Sequence, residues 1–382
     1  MTSCCAGRGS RFACTVMNLI SRRRFLRTGA AASLAPWISL RAEEPAGKPL
    51  GVALLGLGNY STHQLGPALK KTKHARLTGI VTGSPEKIPK WREEYGIPEG
   101  NVYNYETLDR IADNKDIDIV YVVTPTGLHP EYAIRAAKAG KHVICEKPMA
   151  PTVEDCTRMI NAAKDNGVTL QIGYRLHWDP FHLRLMEAME KKEFGDWKSI
   201  SAANGSRMTE FTGLNKWRTG ELSVAGALYD LGVYAVQAQL YTACEKPLRV
   251  TAKHSTERED RFTEVPETYE WTLEFADGRK ADGWSSYGKS ANFIRADVKE
   301  GEIEIQPAYG YGGQKGRTPD GPMDFQHVNQ QVLQIDGQAQ AILRNEPSKV
   351  PGEMGRRDIR VLQGIVKSAA SGKPYEFGDE WD

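Results

Sequence analysis

The chain has 382 residues, 40% of them hydrophobic and 26% charged, which suits a folded protein of two domains rather than a disordered or fibrous one. Its formal charge of +2 hides an asymmetry. Residues 1–42 hold seven arginines and no acid, so the remainder carries 43 basic against 48 acidic side chains, a net −5. That balance gives no electrostatic reason to expect nucleic acid or an anionic membrane as a partner.

The N-terminal segment reads as a leader. Ser21-Arg22-Arg23-Arg24-Phe25-Leu26-Arg27 precedes residues 28–40, a small and weakly apolar run. About 13 residues cannot cross a hydrocarbon layer of roughly 30 Å, so the run does not make a membrane anchor. The pattern resembles a twin-arginine signal with cleavage near Ala42, so recognition by the twin-arginine export machinery and a periplasmic location are expected. Either Met1 or Met17 serves as the start. The mature chain keeps Cys145, Cys156 and Cys244, too few for a disulfide framework and without zinc-ligand spacing.

Residues 43–172 read as one domain. The apolar run 50–55 leads into Gly56-Leu57-Gly58-Asn59-Tyr60-Ser61 and a helical segment to about Lys71. Strand, glycine turn and helix in that order are a dinucleotide-binding pattern: the first glycine makes the turn and the second lets a pyrophosphate approach the backbone. Ser61 stands where a third glycine is usual, which sets the helix slightly farther from the strand. The next strand, residues 77–82, ends in Thr82-Gly83-Ser84 with Lys87 close behind and no acid at its tip. Two hydroxyls and an ammonium suit a ribose 2′-phosphate, so NADP is expected over NAD; alternatively Lys87 merely faces solvent. A buried strand at 117–123 runs into Thr124-Pro125-Thr126-Gly127-Leu128-His129-Pro130, and a helix at 131–139 follows. The stretch from Lys141 through Val143-Ile144-Cys145-Glu146-Lys147-Pro148-Met149 is a strand that ends in a turn. It delivers Lys147 beyond the carboxyl end of the sheet, where ligands bind in such folds. A helix at 152–166 and a last strand at 168–172 complete an α/β, doubly wound parallel sheet, a Rossmann domain.

Residues 173–382 change pattern. A helix at 181–192 and a strand at 197–206 lead to Asp230 and Tyr234, four apart and so on one face of a helix. Alternating runs at 269–275, 280–287, 292–298 and 301–306 predict a mainly antiparallel sheet with one covered face. The glycine-rich residues 309–322 are expected to form a long loop over the site. Helices at 326–343 and 355–370 follow, placed to pack back on the first domain.

Together these residues resemble the glucose–fructose oxidoreductase, inositol dehydrogenase and rhizopine-catabolism oxidoreductase family, and within it the glucose–fructose branch. The resemblance rests on the leader, Gly56-Leu57-Gly58, Thr82-Gly83-Ser84 with Lys87, Cys145-Glu146-Lys147-Pro148-Met149, Gly173-Tyr174-Arg175, Lys216-Trp217-Arg218, and Asp230 with Tyr234. It implies a Rossmann domain, then an α/β domain whose open sheet face mediates a dimer or tetramer. It also implies that residues 56–61 hold the pyrophosphate and that Thr82, Ser84 and Lys87 hold the 2′-phosphate. Thr124, Pro125, Thr126, His129 and Glu146 would line the nicotinamide side, and Arg175, Trp217 and Arg218 would close over it. The arm ahead of the first strand is shorter than in the glucose–fructose enzyme, which bears on cofactor retention and assembly.

The implied reaction oxidises a sugar hydroxyl: a base removes the O–H proton as hydride leaves the carbon. Tyr234 is the expected proton-transfer group, helped by the ammonium of Lys147; the alternative makes Lys147 itself the base. Asp230 would orient the sugar and balance the lysine. Export with a loaded cofactor implies a ping-pong cycle in which a second sugar returns the hydride. A glycosidase using bound NAD on the same fold, a simple polyol dehydrogenase and a sugar-sensing protein are the competing readings.

Overall fold

The computed structural model describes residues 48–378 and Trp381, with the side chains of Thr212 and Trp217 left undescribed. The expected leader therefore lies outside the described residues. Strands β1 (Leu50–Leu55), β2 (Ala75–Val81), β3 (Val102–Tyr103), β4 (Ile119–Val122), β5 (His142–Cys145) and β6 (Leu170–Ile172) form a parallel sheet in the order β3-β2-β1-β4-β5-β6. The strands are mostly apolar because both faces are covered, Arg76, Thr78, His142 and Gln171 being the polar exceptions. In β1, Val52 and Leu54 enter one core while Ala53 and Leu55 enter the other; Ile119 and Tyr121 of β4 split likewise from Val120 and Val122.

Short helices α1 (Gly66–Leu69) and α2 (Ile88–Tyr95) follow β1 and β2, and α3 (His129–Lys138) and α4 (Val153–Asp165) follow β4 and β5. Thr152 caps α4 by accepting from the Asp155 N–H at 3.0 Å. The chain order reverses between β1 and β4, so the turns after those strands diverge and leave a crevice at their carboxyl ends.

Helices α5 (Pro180–Glu190), α6 (Lys216–Thr219) and α7 (Val233–Ala243) then alternate with a second sheet. Its strands are β7 (Trp197–Gly205), β8 (Arg249–Ser255), β9 (Thr268–Glu274), β10 (Lys280–Ser286), β11 (Ala291–Val298), β12 (Gly301–Ile305), β13 (Gly316–Thr318), β14 (Gly321–Met323) and β15 (Tyr375–Glu376). The order is β14-β13-β12-β11-β7-β10-β9-β8-β15, antiparallel except for β7 beside β10. Alternation buries Tyr269, Trp271 and Leu273 while Glu270, Thr272 and Glu274 point outward. The expected loop at 309–322 is only partly a loop, since residues 316–318 and 321–323 pair as a hairpin on the edge of this sheet.

Of two late helices, α8 (Gln330–Leu343) returns to the first sheet, whereas α9 (Gly352–Ser371) packs between α4 and β8. Ile335 and Ala339 of α8 join the core that holds Val52, Leu54 and Tyr121. Helix α8 thus covers one face of the first domain, while β15 joins the second sheet.

Candidate active site

A cavity of about 580 Å³ opens at the carboxyl ends of β1, β4 and β5 and is closed on its far side by the second domain. The turn that leads to it starts at Gly56, itself off the wall, with φ +99°; a Cβ there would stand 2.8 Å from the Val123 carbonyl oxygen, so this turn requires glycine. Gly58 lines the cavity, and a Cβ on it would meet nothing within 4 Å. Any side chain at Gly58 would fill space that the turn leaves open. Asn59 and Tyr60 also line the wall, whereas the Leu57 side chain enters the core.

The side chain of Ser61, expected with residues 56–60 to hold the pyrophosphate, faces away from the cavity. It is fully buried, its hydroxyl donates to the Gly56 carbonyl at 2.5 Å, and it is not part of the cavity wall. The helical segment accommodates it by opening with a wide π-turn, Ser61–Leu65, before α1. Thr82, Ser84 and Lys87 also lie off the cavity wall. Thr82 Oγ1 accepts from the Ser84 N–H at 3.0 Å, and Lys87 Nζ donates to the Leu57 carbonyl at 3.0 Å. The lysine thus reaches across to the glycine turn instead of facing solvent alone.

The turn after β4 supplies Thr124, Pro125, Thr126 and His129 to the wall. His129 ties that turn to the next, its Nε2 2.7 Å from the Thr124 carbonyl and its Nδ1 3.0 Å from that of Pro148. Burial holds its imidazole below the usual range, and a neutral ring has one N–H to give to either carbonyl. Glu146 is buried at the end of β5, accepts from Tyr121 Oη at 2.6 Å, and is pushed up by that burial. Tyr121 in turn accepts from Gln334 Nε2 of α8 at 2.8 Å. A Cβ on Gly173 would stand 2.5 Å from the Glu146 carboxylate, which explains the glycine ahead of Tyr174.

The three residues assigned to chemistry converge. Lys147 Nζ donates to the Asp230 carbonyl at 2.8 Å, lies 3.7 Å from Asp230 Oδ1 and sits 4.6 Å from the centre of the Tyr234 ring. Asp230 belongs to a π-turn, Leu228–Gly232, that runs into α7, where Tyr234 stands. Burial would raise the Asp230 carboxyl, but Lys147, Arg218 and the Tyr287 hydroxyl outweigh it and hold it below the ordinary aspartate range. Arg218 Nε lies 3.0 Å from Asp230 Oδ2, so this guanidinium sits beside Lys147, Asp230 and Tyr234 on the cavity wall. Trp217 is in α6, and its side chain lies outside the described residues.

Arg175 is nearly fully buried. Its Nη2 donates to the Tyr309 carbonyl at 2.5 Å and its Nη1 to that of Gly310 at 2.9 Å, with Gln330 of α8 as a further acceptor. The guanidinium lies 5.0 Å from the Tyr234 ring centre and 4.6 Å from that of Tyr311, so it pins the strip 309–311 against the site. Tyr309 stacks on Tyr234 at 5.8 Å, and Tyr311 stacks on Tyr60 at 6.1 Å. Tyr309, Tyr311, Asn204, Met208, Asn215 and Ser223 line the cavity without having been singled out in the sequence. The pattern Tyr309-Gly310-Tyr311 in a glycine-rich stretch was a usable signal, as was the stripe Gln330, Gln334 and Gln338 at helical spacing.

The wall suits a dinucleotide. Besides the open space at Gly58, two polar atoms of wall residues, Thr124 Oγ1 and Arg175 Nε, are buried without a partner in the protein. Among the described residues no group of His, Cys, Asp or Glu could hold a metal ion, and no helix is long and apolar enough to cross a membrane.

Comparison with known proteins agrees with this geometry. Residues 50–174 match the model of an oxidoreductase family with an NAD-binding Rossmann fold, Gfo/Idh/MocA, and residues 182–305 match the C-terminal domain of the same family. The chain belongs to the Gfo/Idh/MocA oxidoreductase family. The crystal structure of an aldose–aldose oxidoreductase from Caulobacter crescentus is 38% identical, with a TM-score of 0.83 over 86% of this chain and 100% of that one. An NADP-dependent D-xylose 1-dehydrogenase of Haloarcula marismortui is 26% identical over 84% of this chain and 91% of its own. An NADP-dependent scyllo-inositol 2-dehydrogenase of Bacillus subtilis is 27% identical over 65% of this chain and 69% of its own.

Proposed function

We propose that this enzyme is an exported NADP-dependent sugar oxidoreductase that moves hydride between a sugar CH–OH group and a retained cofactor. On this reading an aldose is oxidised to a lactone, and a second sugar takes the hydride back. The observation that carries the reading is the meeting of Lys147, Asp230 and Tyr234 in one cavity with Gly58 of the glycine turn. Support for sugars comes from relatives named for xylose, inositol and aldoses, and support for NADP from relatives named as NADP-dependent.

The nicotinamide of a bound cofactor supplies the hydride acceptor. The protein supplies the rest. Gly58, Asn59 and the wall around Thr124 and Arg175 hold the dinucleotide, and Lys87 beside the glycine turn is the cation for a 2′-phosphate. In one form Lys147 Nζ, as the ammonium, presents positive charge to the sugar oxygen while Tyr234, as the phenolate, takes the departing proton; in the other, Lys147 as the neutral amine takes it. Asp230 Oδ1 accepts from a sugar hydroxyl and fixes the ring.

The test is a pair of half-reactions. Purified protein, loaded with NADP⁺ if none co-purifies, is mixed with D-glucose or D-xylose and its absorbance followed for cofactor reduction; a second aldose or fructose is then added. Reduction followed by reoxidation without exchange of free cofactor is expected. Release of reduced cofactor into solution would make the enzyme a simple dehydrogenase, and cleavage of aryl glycosides without net reduction would make it a glycosidase.

A further inference from the structure

Asp230 is held more tightly than a residue that only orients a substrate needs to be. Its Oδ2 accepts from Arg218 Nε at 3.0 Å and from the hydroxyl of Tyr287 at 2.8 Å, while Oδ1 has Lys147 Nζ at 3.7 Å. Tyr287 follows β10, is fully buried and is no part of the cavity wall. Its ring stacks on Phe262 at 6.1 Å and 23°, its N–H donates to the Glu267 carbonyl at 3.1 Å, and its own carbonyl accepts from Arg258 Nη2 at 2.7 Å. The phenol is therefore immobilised by the second sheet and meets the site at Asp230 and at Arg218, which shares its hydroxyl.

We propose that Tyr287 is a positioning residue that, with Arg218, occupies Oδ2 of Asp230 and leaves Oδ1 alone, beside Lys147, to accept a substrate hydroxyl. A carboxylate free to rotate would offer either oxygen. With Oδ2 filled by two donors from different elements, the carboxylate plane is set and one acceptor direction remains. Asp230 then acts as a fixed anion throughout the reaction, and proton transfer is left to Tyr234 or Lys147. The groups facing this carboxylate are Lys147 at the end of β5, Arg218 of α6, Tyr287 after β10 and Tyr311 of the loop after β12. Three of the four are donors or cations that favour its ionised form.

This inference deepens the proposed reaction, and its test separates the two. Tyr287→Phe keeps the stacked ring and removes only the hydroxyl. In NADP-loaded enzyme it is expected to lower kcat/KM for the aldose roughly 10- to 100-fold, the scale of a lost hydrogen bond to a charged group, with NADP affinity within about twofold. The acid limb of the pH–rate profile should move to higher pH, because one group that holds the Asp230 carboxyl down is gone. In an Asp230→Asn background the same change should cost less than about twofold. Thermal unfolding of the same four proteins gives a readout independent of turnover. Tyr287→Phe should lower Tm by on the order of 2–6 °C with Asp230 present, and by less than half of that in the Asp230→Asn background. If no sugar is turned over, the proposed reaction falls while the thermal cycle still decides the contact. Equal effects of Tyr287→Phe in both backgrounds, or none in either, overturn the role of Tyr287.

Discussion

At the residue scale the site rests on one lysine and what surrounds it. Lys147 gives one hydrogen to the Asp230 carbonyl and lies over the face of Tyr234, which leaves further N–H donors for the cavity. Lys147→Met removes that charge while keeping most of the side-chain length, and Tyr234→Phe removes only the hydroxyl. Each should slow cofactor reduction by the sugar by on the order of 10²-fold or more, the scale of a lost acid–base group, with NADP binding retained. Stopped-flow absorbance of the first half-reaction, paired with a fluorescence titration of NADP, checks both. Undiminished reduction in both variants would move the chemistry to other residues. Their folds should survive, because the two side chains line a cavity and leave the core intact. Lys147, Asp230 and Tyr234 were legible in the sequence because the turn before Pro148 and the spacing of four fix their local placement. Tyr287 was not, because it resembles any buried tyrosine at a strand end until Asp230 is seen opposite it.

Among the elements, the glycine turn and the strip 309–311 face each other across the cavity. Lys87 stands beside that turn, bonded to the Leu57 carbonyl, and no acid occupies the tip of β2. Lys87→Ala should therefore weaken NADP about 10-fold or more and leave NAD nearly unaffected, since a single phosphate-binding cation is lost. Calorimetric titration of both cofactors checks this, and equal loss for the two would assign Lys87 to holding the turn. The strip 309–311 owes its position to Arg175, which spends its guanidinium on the carbonyls of residues 309 and 310. Its glycine-rich composition pointed to a loop over the site, but periodicity could not fix which residues face the cavity, because irregular backbone carries no period and the anchor lies 134 residues away.

For the whole molecule, a late helix closes on the first domain. Gln334 of α8 reaches Tyr121 of β4, and through it the buried Glu146, so this helix helps to form the cavity of the first domain. Export, which we propose on the arginine motif of the leader, concerns the same whole. Changing Arg22, Arg23 and Arg24 together to lysine should retain the protein in the cytoplasm, because the guanidinium pair is what the export receptor reads. Cell fractionation with cofactor content measured in each compartment checks this, and unchanged fractionation would show that another signal directs the chain. The triple change is needed because Arg24 would otherwise offer a shifted pair.

The sequence by itself determined the parallel sheet, the glycine turn after β1, the lysine beyond β5 and the alternating strands of the second sheet. Each of these is encoded locally: a run of β-branched residues buried on both faces, a φ that only glycine adopts freely, a proline that ends a strand, a period of two. Tertiary structure alone decided that Ser61 turns inward to the Gly56 carbonyl, that Arg175 pins a tyrosine strip and that Tyr287 holds Asp230. Those contacts join residues up to 135 apart, and their energies depend on burial and on distances that only the assembled fold creates.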